Sequence, residues 1–324
     1  MTKYTIGVDL GGTNLRVAAV DEHGVDEHGK VLERITLGTQ LSLGRDQVID
    51  DMCAAIQGLK DKHCASLELV GIGIGVPGII DMQSGTVREA ANLPGWAGFP
   101  VRSEIERRLQ TQVTLENDAR VATLGEKWLG AGRGVDDMAM LTLGTGVGGG
   151  LVLGGKIWYG MSGMAGEFGH FTVEPEGHPC GCGSRGCLEQ YASATAVVRM
   201  AKEAAAAGAK GLRGLKELSS KAVYDLAMQG DQDAQEVFRR MGRALGMILA
   251  DLVNGLNLPM YVIGGGAERA WSAFAPTMFE ELRARSVVYA ASVPDGQVIS
   301  GTMIARAELG SDAGLLGAAR LPLM

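Results

Sequence analysis

The sequence predicts an α/β protein with two lobes. Apolar, β-rich runs alternate with stretches of helical periodicity along the chain, as expected for strand-led units with crossing helices. The chain has 324 residues, which is too long for one compact core of ordinary size. Its 49 glycines cluster after apolar runs, in DLGGTN, GIGIGVPG, LGTGVGGG and VIGGG. We interpret these clusters as turns in which backbone N–H groups can approach a ligand.

The first part of the chain alternates predicted strands and helices. A strand over 4–9 leads through a glycine turn into a second strand over 15–21. The elements that follow are a helix over 45–63, a strand over 69–76, a helix over 101–109, a strand over 112–115 and a helix over 118–129. The segment VDEHGVDEHGK repeats DEHG at 21–24 and 26–29, and we interpret it as a lengthened hairpin tip on the surface.

The second part of the chain repeats the pattern of the first. TLGTGVGGGLVL resembles DLGGTNLRVAAV in its order of strand, leucine, glycine turn and strand, which predicts two copies of one unit facing each other. The predicted elements are strands over 138–143 and 151–153 around a turn over 144–149, helices over 189–206, 219–228 and 231–256, a strand over 260–263, and helices over 271–285 and 311–320.

Composition argues against several classes of protein. The net charge is −7 and the chain has no basic run, so we expect no nucleic-acid partner. The N-terminus enters a strand without a signal segment, and Asp251 and Asn254 interrupt the most apolar helix, so we expect no membrane span. Three of the five cysteines fall within eight residues, which is unlike an extracellular disulfide framework and favours the reducing cytoplasm.

Three glycine turns are candidate nucleotide-binding segments. Each of the first two offers backbone donors and a Thr hydroxyl to phosphate oxygens. Asp9 could hold Mg²⁺ there, directly or through water, as phosphoryl transfer requires. A β-like stretch follows the first turn, whereas the dinucleotide fingerprint GxGxxG opens a helix. The turns comprise Gly11, Gly12, Thr13 and Asn14 in the first, Gly144, Thr145 and Gly146 in the second, and Gly264, Gly265 and Gly266 in the third.

The run Glu116-Asn117-Asp118 lies at a predicted strand-to-helix junction. Asn and Asp cap helices well, and the local sequence alone favours capping over catalysis. In a kinase, however, an Asp is needed to orient the acceptor hydroxyl and take its proton. A residue at a helix start can serve both purposes, so both roles remain open at this point.

A cysteine loop, residues 170–187, is a candidate zinc site. It offers four ligands, His170, Cys180, Cys182 and Cys187. This set predicts a closed, tetrahedral, structural Zn²⁺ with no open position for water. Three reduced thiols in a loop are the alternative, which the polar, glycine-rich sequence disfavours. His178 is a competing ligand that ranks below His170, and Cys53 and Cys64 are expected to be inert.

Two glutamates flank this loop. Glu167 precedes His170 by three residues, and Glu189 follows Cys187 by two. If zinc holds one ring nitrogen of His170, the other nitrogen is left to face a ligand. Carboxylates and an imidazole converging on hydroxyl groups suggest a sugar pocket. Support of the zinc site remains an open alternative for Glu189.

These motifs resemble the ROK family (repressors, open reading frames and kinases), and within it the bacterial glucokinases. GEFGH followed by CGCGSRGCLE is highly specific, whereas DLGGT and LGTG occur more widely in actin-like ATPase folds. The matching segments cover nearly the whole chain: DLGGTN, VPGIID, NLPGW, ENDA, LTLGTGVGGGLVLGG, GMAGEFGH, CGCGSRGCLEQYAS, VIGGG and GSDAGLLGAA.

The resemblance implies two actin-like (ribonuclease H-like) α/β domains with an active-site cleft between them. We expect a small domain of residues 1–117 plus 311–324 and a large domain of residues 118–310 that carries the cysteine loop. The implied activity is ATP-dependent phosphorylation of a hexose, foremost glucose, at its 6-hydroxyl, with Mg²⁺ and a structural Zn²⁺. A homo-oligomer, dimer or tetramer, is also implied.

The resemblance also assigns roles to residues. Asp118 would be the base that orients the 6-hydroxyl. ATP would lie on the first two glycine turns, with the third near the adenosine. The hexose would bind to Asn117, Glu167, His170 and Glu189, with the Gly78 turn close by. Arg120 departs from the family, which usually has a smaller residue after ENDA, and bears on fine specificity.

Other functions remain possible within and beyond this family. A kinase for N-acetylmannosamine, N-acetylglucosamine, fructose or mannose is the first alternative, and polyphosphate is an alternative donor. A sugar-sensing repressor is disfavoured because a helix-turn-helix would precede the first glycine turn, whereas only three residues precede Tyr4. The specific cysteine segment also disfavours an actin-like filament protein.

Overall fold

The computed structural model describes residues 2–21, 31–90, 93–292 and 301–324. The chain divides into two compact units. Unit 1 comprises residues 1–136, 150–166 and 308–324, and unit 2 comprises residues 137–149 and 167–307. Apart from Asp21, the predicted hairpin tip with the DEHG duplication lies outside the described residues.

Twelve strands and eleven α-helices are found in the described residues. The strands are β1 (Thr2–Leu10), β2 (Asn14–Asp21), β3 (Val31–Gly38), β4 (Leu67–Val76), β5 (Ile79–Asp81), β6 (Thr86–Glu89), β7 (Val113–Asn117), β8 (Met138–Leu143), β9 (Val147–Leu153), β10 (Lys156–Ile157), β11 (Met260–Gly264) and β12 (Met303–Arg306). The helices are α1 (Arg45–His63), α2 (Val101–Leu109), α3 (Asp118–Leu129), α4 (Glu189–Ala192), α5 (Ala194–Ala207), α6 (Lys210–Arg213), α7 (Ser220–Met228), α8 (Gln232–Leu256), α9 (Trp271–Arg285), α10 (Val287–Ser292) and α11 (Ala313–Arg320).

Unit 1 is built on a five-stranded sheet in the order β3-β2-β1-β4-β7. The pairs β1–β2 and β2–β3 are antiparallel, whereas β1–β4 and β4–β7 are parallel. Because β2 follows the first glycine turn directly, the prediction of a strand rather than a helix at this point is confirmed. Ile6 and Val8 of β1 and Ile72 of β4 are fully buried in a core that also contains Met52 and Ile56 of α1.

On the other face of this sheet, β4 carries no side chains at three positions, because glycines alternate with isoleucines there. The interpretation of GIGIGVPG as a ligand-approaching turn is wrong for Gly71, Gly73 and Gly75, which lie within β4, as the predicted strand over 69–76 implies. A Cβ atom on Gly73 would lie 1.9 Å from the carbonyl oxygen of Ala318 in α11. Side chains alternate between the faces of a strand, so every second position here lets a helix backbone approach.

Helix α3 packs closely against α11. A Cβ atom on Gly317 would lie 1.7 Å from the carbonyl oxygen of Val121, and one on Gly125 would lie 2.1 Å from that of Ala313. These contacts group α3 with unit 1. The predicted domain boundaries, 1–117 plus 311–324 and 118–310, stay a prediction.

Unit 2 contains most of a second five-stranded sheet, in the order β10-β9-β8-β11-β12. Strand β11 runs parallel to both β8 and β12, and β9 pairs antiparallel with β10. The order repeats that of the first sheet, with three consecutive strands followed by two later ones, which confirms the predicted duplication. The predicted turn over 144–149 is too long, because β9 already begins at Val147.

The helices predicted in unit 2 are found with one correction, and the short helices α6 and α10 were not predicted. The predicted helix over 189–206 is broken at Ser193, whose extended backbone ends α4 and whose side chain caps α5 by accepting from the Ala196 N–H. The long helix α8 packs against α9, where a Cβ atom on Gly242 would lie 2.3 Å from the carbonyl oxygen of Phe274. Among the described residues, no helix combines the length and apolar character needed to cross a membrane.

Candidate functional site

The first glycine turn joins β1 to β2 in unit 1. The Gly11 N–H donates to the carbonyl of Asn14 at 2.8 Å, and the Thr39 hydroxyl donates to the carbonyl of Gly11 at 2.7 Å. Gly12 and Thr13, at the tip, are exposed. The turn is therefore fixed at its base, and its tip can be reached by a ligand.

Asp9 lies just before this turn, with only 17% of its side chain exposed. Its Oδ2 accepts a hydrogen bond from Arg16 at 3.2 Å, and Arg16 also donates to the carbonyl of Ser311. Burial raises the pKa of Asp9, and the Arg16 guanidinium opposes that rise. A Cβ atom on Gly314 of α11 would lie 3.0 Å from the carboxyl carbon of Asp9, so the start of α11 packs against this carboxylate.

The second glycine turn joins β8 to β9 in unit 2. The Gly144 N–H donates to the carbonyl of Gly146 at 2.9 Å, and the Ala194 N–H at the start of α5 donates to the carbonyl of Gly144 at 2.9 Å. Glu189 contacts the same turn, since its Oε2 accepts from the Val147 N–H at 2.9 Å. A Cβ atom on Gly146 would lie 2.3 Å from this oxygen, so a larger residue would displace the carboxylate.

The third glycine turn follows β11. Gly265 has φ +87°, the left-handed region that favours glycine, and a Cβ atom there would lie 2.5 Å from the carbonyl oxygen of Leu143. Gly265 and Gly266 are exposed. The second and third turns therefore lie side by side at the ends of the paired strands β8 and β11.

At the start of α3, Asn117 is the capping residue. Its backbone is extended, and its Oδ1 accepts from the N–H groups of Ala119 at 3.0 Å and Arg120 at 3.1 Å. Its amide nitrogen donates to the carbonyl of Gly78 at 3.0 Å and to Oδ1 of Asp118 at 3.1 Å. Asp118 also accepts from the Ala119 N–H at 2.9 Å. Unit 1 thus brings Gly78, Asn117 and Asp118 together.

A buried ion pair lies beneath this helix start. Arg120 donates to Oε1 of Glu116 at 3.0 Å, and the two side chains are 2% and 1% exposed. The guanidinium also lies over the Tyr159 ring, 5.8 Å from its centre. Burial raises the pKa of Glu116, against the lowering effect of Arg120, the Asn117 N–H and Tyr159. We did not predict Glu116 and Tyr159 as site residues, because Glu116 lies in β7 and Arg120 in α3, so no periodic pattern of one element pairs them.

The cysteine loop brings its four predicted ligands together. The ligand atoms of His170, Cys180, Cys182 and Cys187 all lie within 4.8 Å of one another. Cys180 Sγ is 3.7 Å from His170 Nδ1, and Cys182 Sγ is 3.7 Å from Cys187 Sγ. Tetrahedral zinc with thiolates at about 2.3 Å would separate two sulfurs by about 3.8 Å.

The donor chemistry of the loop also fits zinc. Burial, together with the neighbouring thiols Cys180 and Cys182, raises the pKa of Cys187 to about 12. Three thiolates this close together need a cation, which a zinc ion would supply. His178 is not part of the cluster, because its Nδ1 lies 2.8 Å from the carbonyl oxygen of Pro179.

Glycines shape the backbone of the cysteine loop. The Cys180 N–H donates to the carbonyl of Ser184 at 2.8 Å, and the Gly186 N–H donates to that of His178 at 2.9 Å. Gly186 has φ +67°, and a Cβ atom there would lie 1.6 Å from the carbonyl oxygen of Glu174. Only glycine can occupy this position without moving the backbone.

Glu167 and His170 lie at the two ends of a 3₁₀ turn that precedes the loop. The turn covers Phe168–His170, and the His170 N–H donates to the carbonyl of Glu167 at 3.1 Å. Residues three apart project from the same side of such a turn. Because Nδ1 of His170 faces Cys180, its Nε2 is the nitrogen left to contact a ligand.

The family model described as ROK family matches residues 5–323 of this chain. This protein belongs to the ROK family.

Several ROK proteins are similar to this chain over nearly its full length. The glucokinase of Thermotoga maritima is 38% identical over 323 residues, covering 98% of this chain and 96% of that protein. The glucokinase of Halalkalibacterium halodurans is 36% identical over 322 residues, covering 97% and 93%. A ROK family glucokinase from Streptomyces griseus, solved in complex with glucose and AMPPNP, is 35% identical with a TM-score of 0.79 and covers 98% of both chains. These matches confirm the predicted family and its two-domain, actin-like α/β fold.

The predicted site residues of this ROK protein divide between the two units. Unit 1 holds the first glycine turn, Asp9, Gly78, Asn117 and Asp118. Unit 2 holds the other two turns, Glu167, the cysteine loop and Glu189. Within unit 2, Glu189 supports the second glycine turn through its bond to Val147, a contact that the sequence did not predict.

Proposed function

We propose that this protein transfers the γ-phosphoryl group of ATP to the 6-hydroxyl of a hexose, with glucose as the preferred acceptor. Membership of the ROK family and similarity to glucokinases along the whole chain support this activity. The observation that carries the proposal is that two neighbouring residues at the start of α3 have different roles. Asn117 caps the helix, so Asp118 is not required for that purpose and can serve as the base.

The donor would bind through the glycine turns. Backbone N–H groups of the first and second turns would hold the phosphates, and the third turn would lie near the adenosine. Asp9, an oxygen ligand of the kind Mg²⁺ prefers, would hold the ion directly or through water. The ion would neutralise charge on the phosphates, while Arg16 keeps the Asp9 carboxylate oriented.

The acceptor would be oriented by side chains that bind its hydroxyl groups. The proposed sugar-binding residues are Asn117, Glu167, His170 and Glu189, with the Gly78 turn close by. Asp118 would take the proton of the 6-hydroxyl as its oxygen forms a bond to the γ-phosphorus. The bond from that phosphorus to the bridging oxygen breaks at the same time, and ADP leaves with that electron pair.

The zinc ion would be structural. His170, Cys180, Cys182 and Cys187 would fill all four positions, leaving none for water or phosphate. The ion would fix the ring of His170 with Nε2 toward the sugar. We further propose that the protein works in the cytoplasm as a dimer or tetramer, without nucleic-acid or membrane partners.

A sugar panel tests this function. The purified protein is assayed with ATP·Mg²⁺ and each of glucose, mannose, fructose, N-acetylglucosamine and N-acetylmannosamine, with ADP formation coupled to NADH oxidation. We expect the highest kcat/KM with glucose. Replacing ATP by polyphosphate and measuring sugar phosphate tests the alternative donor. If no hexose is phosphorylated with ATP, the proposed function is wrong.

A further inference from the structure

The guanidinium of Arg120 joins two segments of unit 1. One nitrogen donates to Oε1 of Glu116 at 3.0 Å, and a second donates to the carbonyl of Gly163 at 2.7 Å. Two separate acceptors at fixed positions match the planar fork of an arginine, which a lysine does not provide. A buried ion pair adds little net stability compared with apolar side chains of similar volume. The two hydrogen bonds of Arg120 are therefore better explained by the positions of Glu116 and Gly163 that they fix.

Glu116, one of the two acceptors of Arg120, is connected through Asn117 to the proposed base, Asp118. Oε1 of Glu116 also accepts from the backbone N–H of Asn117 at 2.7 Å. Asn117 in turn caps α3 and donates to Oδ1 of Asp118. One carboxylate oxygen therefore holds both the Arg120 side chain and the backbone next to Asp118.

The Gly163 end lies in the segment that leads to Glu167. Gly163 has φ +77°, and the segment is closed by a hydrogen bond from the Ala165 N–H to the carbonyl of Tyr159 at 3.1 Å. Only three residues separate Gly163 from Glu167, whose carboxylate would bind the sugar. A bond that fixes the Gly163 carbonyl therefore restricts the path by which the chain reaches Glu167.

We propose that Arg120 is a positioning residue that sets hexose affinity, by holding the segment 159–163 against the start of α3. The inference rests on the proposed function. The described partners of Arg120 are Glu116, Gly163 and the Tyr159 ring, none of which belongs to a glycine turn, and in this proposal Arg120 does not bind the sugar. Its loss should raise the KM for hexose while the KM for ATP stays the same.

Arg120→Lys is the first test, because lysine keeps a positive charge beside Glu116 and loses the fork. We expect the KM for glucose to rise about tenfold, as for the loss of one hydrogen bond that orders a binding group. The KM for ATP should stay within about twofold of the wild-type value. The control is Arg239→Lys, at a half-exposed ion pair on α8.

A pair of variants separates positioning from charge compensation. Burial raises the pKa of Glu116, and Arg120→Met removes the guanidinium that opposes this rise, so the folded-state pKa of Glu116 stays above its unfolded value. Such a group contributes stability below the unfolded pKa and loses it as pH rises through the folded pKa. The melting temperature of Arg120→Met should therefore fall further below wild type at pH 8 than at pH 5. In Glu116→Gln/Arg120→Met, which lacks both charges of this ion pair, the pH-dependent loss should disappear while the KM for glucose stays raised.

The outcomes decide between the two roles. A wild-type glucose KM in the double variant, or equal rises of both KM values in Arg120→Lys, would overturn the positioning role. If the wild-type protein phosphorylates no hexose, the proposed function fails instead. Amide hydrogen exchange then tests the anchor without sugar: faster exchange of residues 158–166 in Arg120→Lys supports the anchoring role, and unchanged exchange refutes it.

Discussion

At the scale of single residues, the start of α3 divides two roles between neighbours. The sequence ENDA left capping and catalysis open, because both Asn and Asp can cap a helix. The cap is decided by which residue has extended backbone angles, and these belong to Asn117, with φ −68° and ψ 143°. The motif could be predicted from sequence, whereas the division of roles within it needed the backbone geometry.

Asp118→Asn should lower kcat by about 10²–10⁴-fold, because an amide cannot take the proton of the 6-hydroxyl. Glucose binding should survive, since asparagine keeps the size and polarity of the side chain. Steady-state kinetics with ATP and glucose, together with calorimetric titration of glucose, measure the two effects. The matched control is Asp225→Asn on α7, a half-exposed carboxylate paired with Lys221. Full turnover by Asp118→Asn would exclude a role as base.

At the scale of elements, the alternation of Gly and Ile in β4 explains how α11 packs on the sheet. The sequence predicted the strand correctly but assigned its glycines to a ligand. The sequence does show that glycine occupies every second position, and in a strand this spacing places all three glycines on one face. What that face meets could not be predicted, because α11 lies more than 230 residues further along the chain.

Gly73→Ala should destabilise unit 1 by at least about 2 kcal/mol, because its Cβ would meet the backbone of α11, which cannot rotate away. The control is Gly58→Ala in α1, an exposed helical position where a Cβ atom meets nothing within 4 Å. That substitution should stabilise by about 0.5–1 kcal/mol. Denaturant melts of both variants check the signs, and a neutral Gly73→Ala would contradict this packing.

The cysteine loop is the element whose chemistry the sequence anticipated best. The residue types and their closeness in sequence predicted the site with His170 ranked above His178, and the geometry agrees with that ranking. Spacing is informative here because all four ligands fall within one short segment, so no long-range contact is needed to bring them together.

Cys182→Ser should lose zinc and lower the melting temperature, because three remaining ligands hold the metal less tightly. Elemental analysis of the purified protein should give one zinc per chain for the wild type and for the control Cys64→Ser, whose exposed thiol lies outside the cluster. Chelation should reproduce the variant's loss of stability. A wild-type protein purified without zinc, and unable to bind it, would contradict the site.

At the scale of the whole molecule, the two sheets share one strand order, which the repeated strand–turn–strand pattern predicted. The resemblance implied that residues 311–324 return to the first domain, but it did not identify the contact that holds the returning chain. Glu126 of α3 is fully buried and accepts hydrogen bonds from the N–H groups of Glu308 at 3.0 Å and Leu309 at 2.8 Å. These partners are more than 180 residues apart, so no local pattern reports the contact.

The transfer of phosphate from ATP to the 6-hydroxyl of glucose, which we propose for the whole molecule, can be observed directly. Phosphorus NMR of the purified protein with ATP·Mg²⁺ and glucose identifies both the donor product and the phosphorylated hydroxyl, with Asp118→Asn as the inactive control. We predict equal amounts of ADP and glucose 6-phosphate. Intact ATP and glucose, ATP hydrolysis without sugar phosphate, or phosphate on another hydroxyl would contradict the proposed activity.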